Sequence, residues 1–167
     1  MDECHFQQHG SRLGAWFSKE EKDPVLLHAP TRKKIGVIGA VKAKGGTLIT
    51  SEAGVFNANT VEAFFDELIG HREKGKTMVI VLDNARFHHA KALAGWLGKR
   101  SKYFQLDFLS PYSPELNHIE RVWKLVRRLC THNQYFEALE DFHSVLDAKF
   151  SEWAVPNDTL SKLCAVI

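Results

Sequence analysis

"TMVIVLDNA", residues 77–85, is the stretch that decides the fold. Met78 to Leu82 run without a polar interruption, and Asp83 and Asn84 follow at once. So short an apolar run fits a strand buried on both faces, as in the middle of a parallel pair. Helical patterns flank it. Upstream, "NTVEAFFDELIGHREKGK" places Val61, Phe64, Phe65, Leu68 and Ile69 at the 3.6-residue period. Asn59 or Thr60 is placed to cap this helix, and Gly70 and Gly75 end it. Downstream, "HAKALAGWLGKRS" reads as a short helix with Ala90, Leu93, Ala94 and Leu97 on one side. "FQLDFLSPYSP" (104–114) then holds a strand that Pro111 stops.

Further out, "KIGVIGAV" (34–41) and "GTLITSEAG" (46–54) read as two strands, and Gly45-Gly46 suits a hairpin between them. Residues 2–8 alternate weakly, with Cys4 and Phe6 on one side. Gly10 and Gly14 serve as turn residues, Trp16 as an apolar anchor, and the polar "SKEEKDP" (18–24) as a loop. Near the other end, Ile119, Val122, Trp123, Val126 and Cys130 form a helical stripe. A final helix is expected from about Tyr135 to Trp153 through Phe136, Leu139, Phe142, Leu146 and Phe150. Three antiparallel strands followed by right-handed crossovers give an α/β fold. The expected architecture is an RNase-H-like mixed five-stranded sheet with flanking helices, one domain over residues 1–167. Ligand sites in such sheets lie at the carboxyl ends of the parallel strands, where Asp83 falls.

The chain has 167 residues, 44% of them apolar and 25% charged, as in an ordinary globular domain. A formal charge of +2 gives no bulk argument for a nucleic-acid partner. Local basic clusters do occur at 31–34, 42–44, 98–102 and 121–128. Three cysteines, Cys4, Cys130 and Cys164, match no ligand spacing, and a reduced cytoplasmic protein is expected. No apolar run reaches membrane-spanning length, and no signal peptide is visible. Nine histidines are present, yet the Cys4, His5, His9 group and the His88-His89 pair match no zinc pattern. No P-loop or dinucleotide fingerprint appears. Trp96, Phe104 and Phe108 are expected in the core rather than as base-stacking platforms.

Three carboxylates stand out. Asp83 ends the central strand, Glu120 opens the helical stripe one helix and one strand later, and Asp2 lies on the first strand. In the expected topology that first strand neighbours the one bearing Asp83. Clustered carboxylates repel unless a cation neutralises them, and all-oxygen ligands suit Mg²⁺ or Mn²⁺. Each acid also has a plainer reading. "NHIE" (117–120) is a capping pattern with Asn117 at the cap, Asp83-Asn84 is a turn pair, and Asp2 is a terminal residue.

"LDNARFHHAK" (82–91), "SPYSPELNHIERVWK" (110–124) and "DECHFQQHGSRLGAW" (2–16) resemble the three acidic motifs of DDE transposases. The match is to the bacterial insertion-sequence branch of the Tc/mariner superfamily. The resemblance implies a catalytic domain that uses two Mg²⁺ or Mn²⁺ ions, hydrolyses phosphodiester bonds at transposon ends and joins the freed 3′-hydroxyl to target DNA. It implies Asp2, Asp83 and Glu120 as metal ligands, with Asn84 and His88 in support and Asn117 capping the Glu120 helix. Arg121, Lys124, Arg127 and Arg128, on the exposed side of that helix, are expected to track a DNA backbone. His118 stands where the family has proline and puts a titratable group near the expected metals. The first strand is short, and the family's helix-turn-helix modules are absent from the sequence. The expected partners are therefore DNA together with a homodimer mate or an upstream-encoded DNA-binding half. A catalytically inactive fragment and a general RNase-H-like nuclease are the alternatives.

Overall fold

The computed structural model describes residues 1–167 except 11, 15, 22–24, 26, 28–30, 112, 166 and 167, and except the Ala92 side chain. Part of the loop expected at 18–24 lies outside the described residues. Strands β1 (Asp2–Gln7), β2 (Lys34–Lys42) and β3 (Thr47–Glu52) form an antiparallel ladder in that order. Its register pairs Asp2 with Gly39 and Phe6 with Ile35. Gly45 and Gly46 take φ of +97° and +63° in the β2–β3 turn, a region that side chains other than glycine rarely adopt. Helix α1 (Ala58–Gly70) leads to β4 (Met78–Leu82), α2 (Lys91–Arg100) and β5 (Phe104–Phe108). β4 and β5 pair in parallel as expected, but β4 is buried on one face only: Ile80 and Leu82 are buried, whereas Val79 and Val81 are exposed. Then come α3 (His118–Cys130), α4 (Leu139–Trp153) and α5 (Asp158–Leu163).

The ladders stay separate, three strands and two, where a single five-stranded sheet is expected. The reason lies at the start of β1. The Met1 ammonium donates to the Val81 carbonyl at 2.7 Å, and this is the hydrogen bond that joins β1 to β4 among the described residues. β2 runs on past Gly39 to Lys42, and beside it the two ladders part around a groove of about 490 Å³. One bond does not make a ladder, so the sheet is interrupted there.

Alternation along β2 divides the core. Val37 faces one side with Cys4, Phe6, Val122, Trp123, Val126, Phe142 and Leu146, which places α3 and α4 there. Ile38 and Ala40 face the other side with Phe64, Phe65, Leu68, Ile80, Leu82, Leu93 and Trp96, which places α1 and α2 there. Trp96 and Phe104 are core residues, and Phe108 packs at the edge of the same cluster.

Four expectations need correction. The cap of α1 is Asn57, whose side chain accepts from the Asn59 and Thr60 amides while Thr60 Oγ1 accepts from the Asn57 amide. Asn59 and Thr60 lie inside the helix, because the reciprocal capping box needs its Thr at the third helical position. Helix α4 begins at Leu139, and Tyr135 is exposed outside it. An additional helix, α5, is capped by Asn157 and buries Leu160, with Cys164 buried just after it. Trp16 anchors nothing and is fully exposed. Among the described residues no helix is long and apolar enough to cross a membrane.

Candidate active site

Asp2, Asp83 and Glu120 line one cleft of about 430 Å³. Asp83 follows Leu82, the last residue of β4, while Leu109 and Ser110 follow β5, so the cleft opens at the carboxyl ends of the parallel pair. Asp2 enters from the first residue of β1, and Glu120 from the first turn of α3. Pro111 and Pro114 form part of the wall and stiffen the loop between β5 and α3.

Each carboxylate is held by a different device. The Trp123 indole Nε1 donates to Asp2 Oδ2 at 3.1 Å. Trp123 is buried and lies one helical turn after Glu120, so α3 carries one acid and fixes another. Asp83 is exposed, but its Oδ1 accepts from the Ala85 amide at 3.1 Å and lies 3.1 Å from His88 Nδ1. Glu120 rides on a helix anchored by Ile119, Val122 and Trp123, all of them buried.

Asn117 is at the start of α3, but its side chain makes no capping bond. It is buried, and its Nδ2 donates to the Met1 carbonyl at 3.2 Å, tying the Glu120 helix to the strand that bears Asp2. The capping reading of "NHIE" therefore does not describe this helix start. Asn84 braces the ends of β4 and β5: its Nδ2 donates to the Leu109 carbonyl, and its Oδ1 lies 3.3 Å from His89 Nε2. His88 is wholly buried, with Nε2 3.0 Å from Glu3 Oε1. Glu3 is the residue that sequence reading passes over. Strand alternation sets it opposite Cys4 and Phe6, which reads as the solvent side, and its partner His88 is remote in sequence.

Burial, then the charges of Glu120 and Glu3, push the Asp2 carboxyl up to about 7. Burial pulls the Met1 ammonium down to about 6 against the neighbouring carboxylates. Burial opposes protonation of His88, yet the Glu3 bond and charge, joined by Asp83, raise it above the usual histidine value. Burial dominates the Asp2 and Met1 shifts, and the gathered carboxylates add to the rise at Asp2 and produce the one at His88.

Arg121, Lys124 and Arg128 are exposed on α3. Arg127 is turned inward instead. Its guanidinium donates to Cys4 Sγ at 2.7 Å and lies 5.4 Å from the Phe6 ring centre. His118 lines the groove between the ladders rather than the carboxylate cleft. All three cysteines are buried, and burial pushes the Cys4 thiol up to about 12, which makes it unreactive.

Residues 1–143 match the family model of the DDE superfamily endonucleases. The chain belongs to that family. The chain is also similar to two curated proteins, one of them from an insertion element. It is 32% identical over 60 residues to the IS630 insertion element's uncharacterized 39 kDa protein of Shigella sonnei, covering 36% of this chain and 17% of that one. It is 30% identical over 108 residues to the uncharacterized protein y4pE/y4sA of Sinorhizobium fredii, covering 63% of this chain and 74% of that one. Its fold is similar to that of the Mos1 mariner transposase in a paired end complex with Mn, with TM-score 0.70, 18% identity, and coverage of 98% of this chain and 50% of that one. It is also similar to the isolated catalytic domain of Mos1, with TM-score 0.58 and 18% identity over 79% of this chain and 68% of that one. The chain thus spans about half the Mos1 chain of the paired end complex and about a sixth of the IS630 protein.

Proposed function

We propose that the cleft between Asp2, Asp83 and Glu120 is the catalytic centre of a DNA transposase of the Tc/mariner and IS630 group. The observation that carries this reading is the convergence of three carboxylates, remote in sequence, on one cleft at the carboxyl ends of the parallel strands. In this reading the two ladders are parts of one five-stranded RNase-H-like sheet, and the Met1–Val81 bond is their point of contact.

The donor set fits hard divalent cations. It consists of carboxylate oxygens, and Asp2 is held near neutrality by burial and like charge, which a cation would reverse. Asp2, Asp83 and Glu120 would hold two Mg²⁺ or Mn²⁺ ions. Bound there, the ions supply activation of a water or hydroxyl and stabilisation of the leaving oxygen in phosphodiester displacement. The chain's own residues do the rest. Trp123 keeps Asp2 in one orientation, the Ala85 amide and His88 keep Asp83, and Asn117 keeps α3 against β1. Lys124 lies one turn after Glu120 and offers a cation for a DNA phosphate, with Arg121 and Arg128 on the same helix. The partners are transposon ends and target DNA, with a homodimer mate or a DNA-binding half supplied by another polypeptide.

The test is Mn²⁺-dependent nicking of a supercoiled plasmid that carries the terminal repeats flanking the gene. Nicking that requires Mn²⁺ and is lost in Asp83→Ala is expected. A folded protein that neither nicks nor gains thermal stability from Mn²⁺ sinks the catalytic reading.

A further inference from the structure

We propose that Glu3 is a positioning residue of the carboxylate cleft: through the His88 ring it fixes the Asp83 side chain with one oxygen left for the cleft. The proposal rests on the catalytic reading above and deepens it.

Glu3 and Asp2 are neighbours on β1 and therefore point to opposite faces. Asp2 turns to Trp123, whereas Glu3 turns to the 3₁₀ turn Arg86–His89. Glu3 does not line the cleft. Its side chain is 7% exposed and that of His88 is 0% exposed. A carboxylate taken out of water costs several kcal/mol or more unless it is paired, so an acid here is a costly choice for packing alone.

The partner accounts for it. His88 Nε2 is 3.0 Å from Glu3 Oε1, and Nδ1 is 3.1 Å from both the Asp83 carbonyl and Asp83 Oδ1. The Asp83 carbonyl can only accept, so Nδ1 is the donor there, and Nε2 is left facing Glu3 Oε1. The imidazole stands between two carboxylates: Nε2 meets Glu3 Oε1, while Nδ1 has its hydrogen bond to the Asp83 carbonyl and lies within ion-pair distance of Asp83 Oδ1. Phe87 meets the ring edge-on at 4.6 Å. With Nε2 fixed by Glu3, the ring presents Nδ1–H to Asp83 in one direction. Asp83 needs that help, because its side chain is 53% exposed and water alone would let it rotate. The Ala85 amide donates to Oδ1 and His88 Nδ1 lies 3.1 Å from the same oxygen, so Oδ2 would be the oxygen left for an ion.

The test measures Mn²⁺ affinity of the full chain by electron paramagnetic resonance, beside thermal unfolding and ¹⁵N–¹H spectra of the His88 ring. Glu3→Leu should weaken Mn²⁺ binding at least about tenfold, the scale at which partners of metal ligands act. It should also move the His88 Nε2 signal. Glu3→Gln, whose amide oxygen still accepts from Nε2–H, should stay within about threefold of the parent. His88→Phe should lose as much as Glu3→Leu, and the double variant no more than either, because the two act as one unit. If Glu3→Leu does not fold, Glu3→Ala replaces it. Unchanged Mn²⁺ affinity in the Glu3 variant, or additive losses in the pair, overturns the positioning role while leaving the cleft intact. A parent chain that binds no Mn²⁺ and nicks no plasmid overturns both.

Discussion

Trp123 gives its indole N–H to the carboxylate of Asp2 across 3.1 Å, from a helix position one turn beyond Glu120. Trp123→Phe keeps a buried ring and deletes this one donor. A hydrogen bond to a charged group contributes about 1.5–3 kcal/mol. Unfolding at pH 8 with Mn²⁺ present should show a loss of that size plus a small packing cost, and plasmid nicking should fall about tenfold. Wild-type nicking in this variant would mean that Asp2 is oriented without the indole.

The same ring limits β2. A Cβ placed on Gly39 would stand 2.6 Å from Trp123 Cη2 and 2.9 Å from Cζ2. Gly39→Ala should therefore cost about 1–3 kcal/mol of stability through overpacking. In a Trp123→Phe background those two atoms are gone, so the cost should shrink by at least about 0.5 kcal/mol. Additive costs in denaturant titrations would show that the strain lies elsewhere.

Asp2 and Met1 make stability depend on pH in opposite senses. The Asp2 carboxyl is raised from its ordinary 3.8 to about 7, so the folded chain holds a proton that the unfolded chain has lost. Its contribution is present at acid pH and disappears as pH rises towards 7. The Met1 ammonium is lowered from 8.0 to about 6, so its contribution grows between pH 6 and 8. Asp2 and Met1 together should make stability in EDTA decline from pH 4 to 6, level off between 6 and 7 where the two slopes cancel, and recover from 7 to 8. Asp2→Asn should remove the decline, which is on the order of 3 kcal/mol. Mn²⁺ should stabilise more at pH 8 than at pH 5, because it competes with the Asp2 proton. A Mn²⁺ effect that is equal at both pH values would place the ion away from Asp2.

Much of this architecture is legible in the sequence, and the reasons are local. Met78 to Leu82 form an unbroken apolar run, which fixes a strand and puts Asp83 at its end, although only Ile80 and Leu82 are buried and Val79 and Val81 face outward. The stripe Ile119, Val122, Trp123, Val126 fixes α3 and the place of Glu120. Pairings between remote residues are not legible. Nothing in the spacing joins Glu3 to His88, Asn117 to Met1, or Arg127 to Cys4. Helix ends are blurred for a different reason. Asn57, Asn59 and Thr60 are all good cap residues, and only the reciprocal bonds select Asn57. The split of the sheet depends on how far β1 overlaps β4, which no periodicity records.

The cap assignment is itself testable. Asn57→Ala should cost about 1 kcal/mol, and Asn59→Ala should stay within about 0.5 kcal/mol of the parent. Equal losses in thermal unfolding would contradict the capping box.

The basic residues of α3 should separate into two kinds. Lys124→Gln and Arg128→Gln should each lower the slope of log affinity against log salt by about 1 for duplex DNA, with stability unchanged. Arg127→Gln should instead destabilise the fold, because its guanidinium packs on Phe6 and Cys4. A stable Arg127→Gln with a reduced salt slope would return that residue to the DNA-facing set.

The interruption between the ladders has a consequence for motion. Asp2 sits on the three-stranded ladder and Asp83 at the end of the two-stranded one, and the cluster of Met1, Ile38, Ala40, Ile80 and Leu82 spans the gap between them. Parting the ladders would break the Met1–Val81 and Glu3–His88 bonds and open the apolar cluster between them, yet leave the hydrogen bonds within each ladder in place. Such an opening lies below global unfolding in free energy, and amide exchange would report it as a sub-global event. A cation bridging the two acids would act as a latch across that hinge, so loading the ion and closing the fold would be one step.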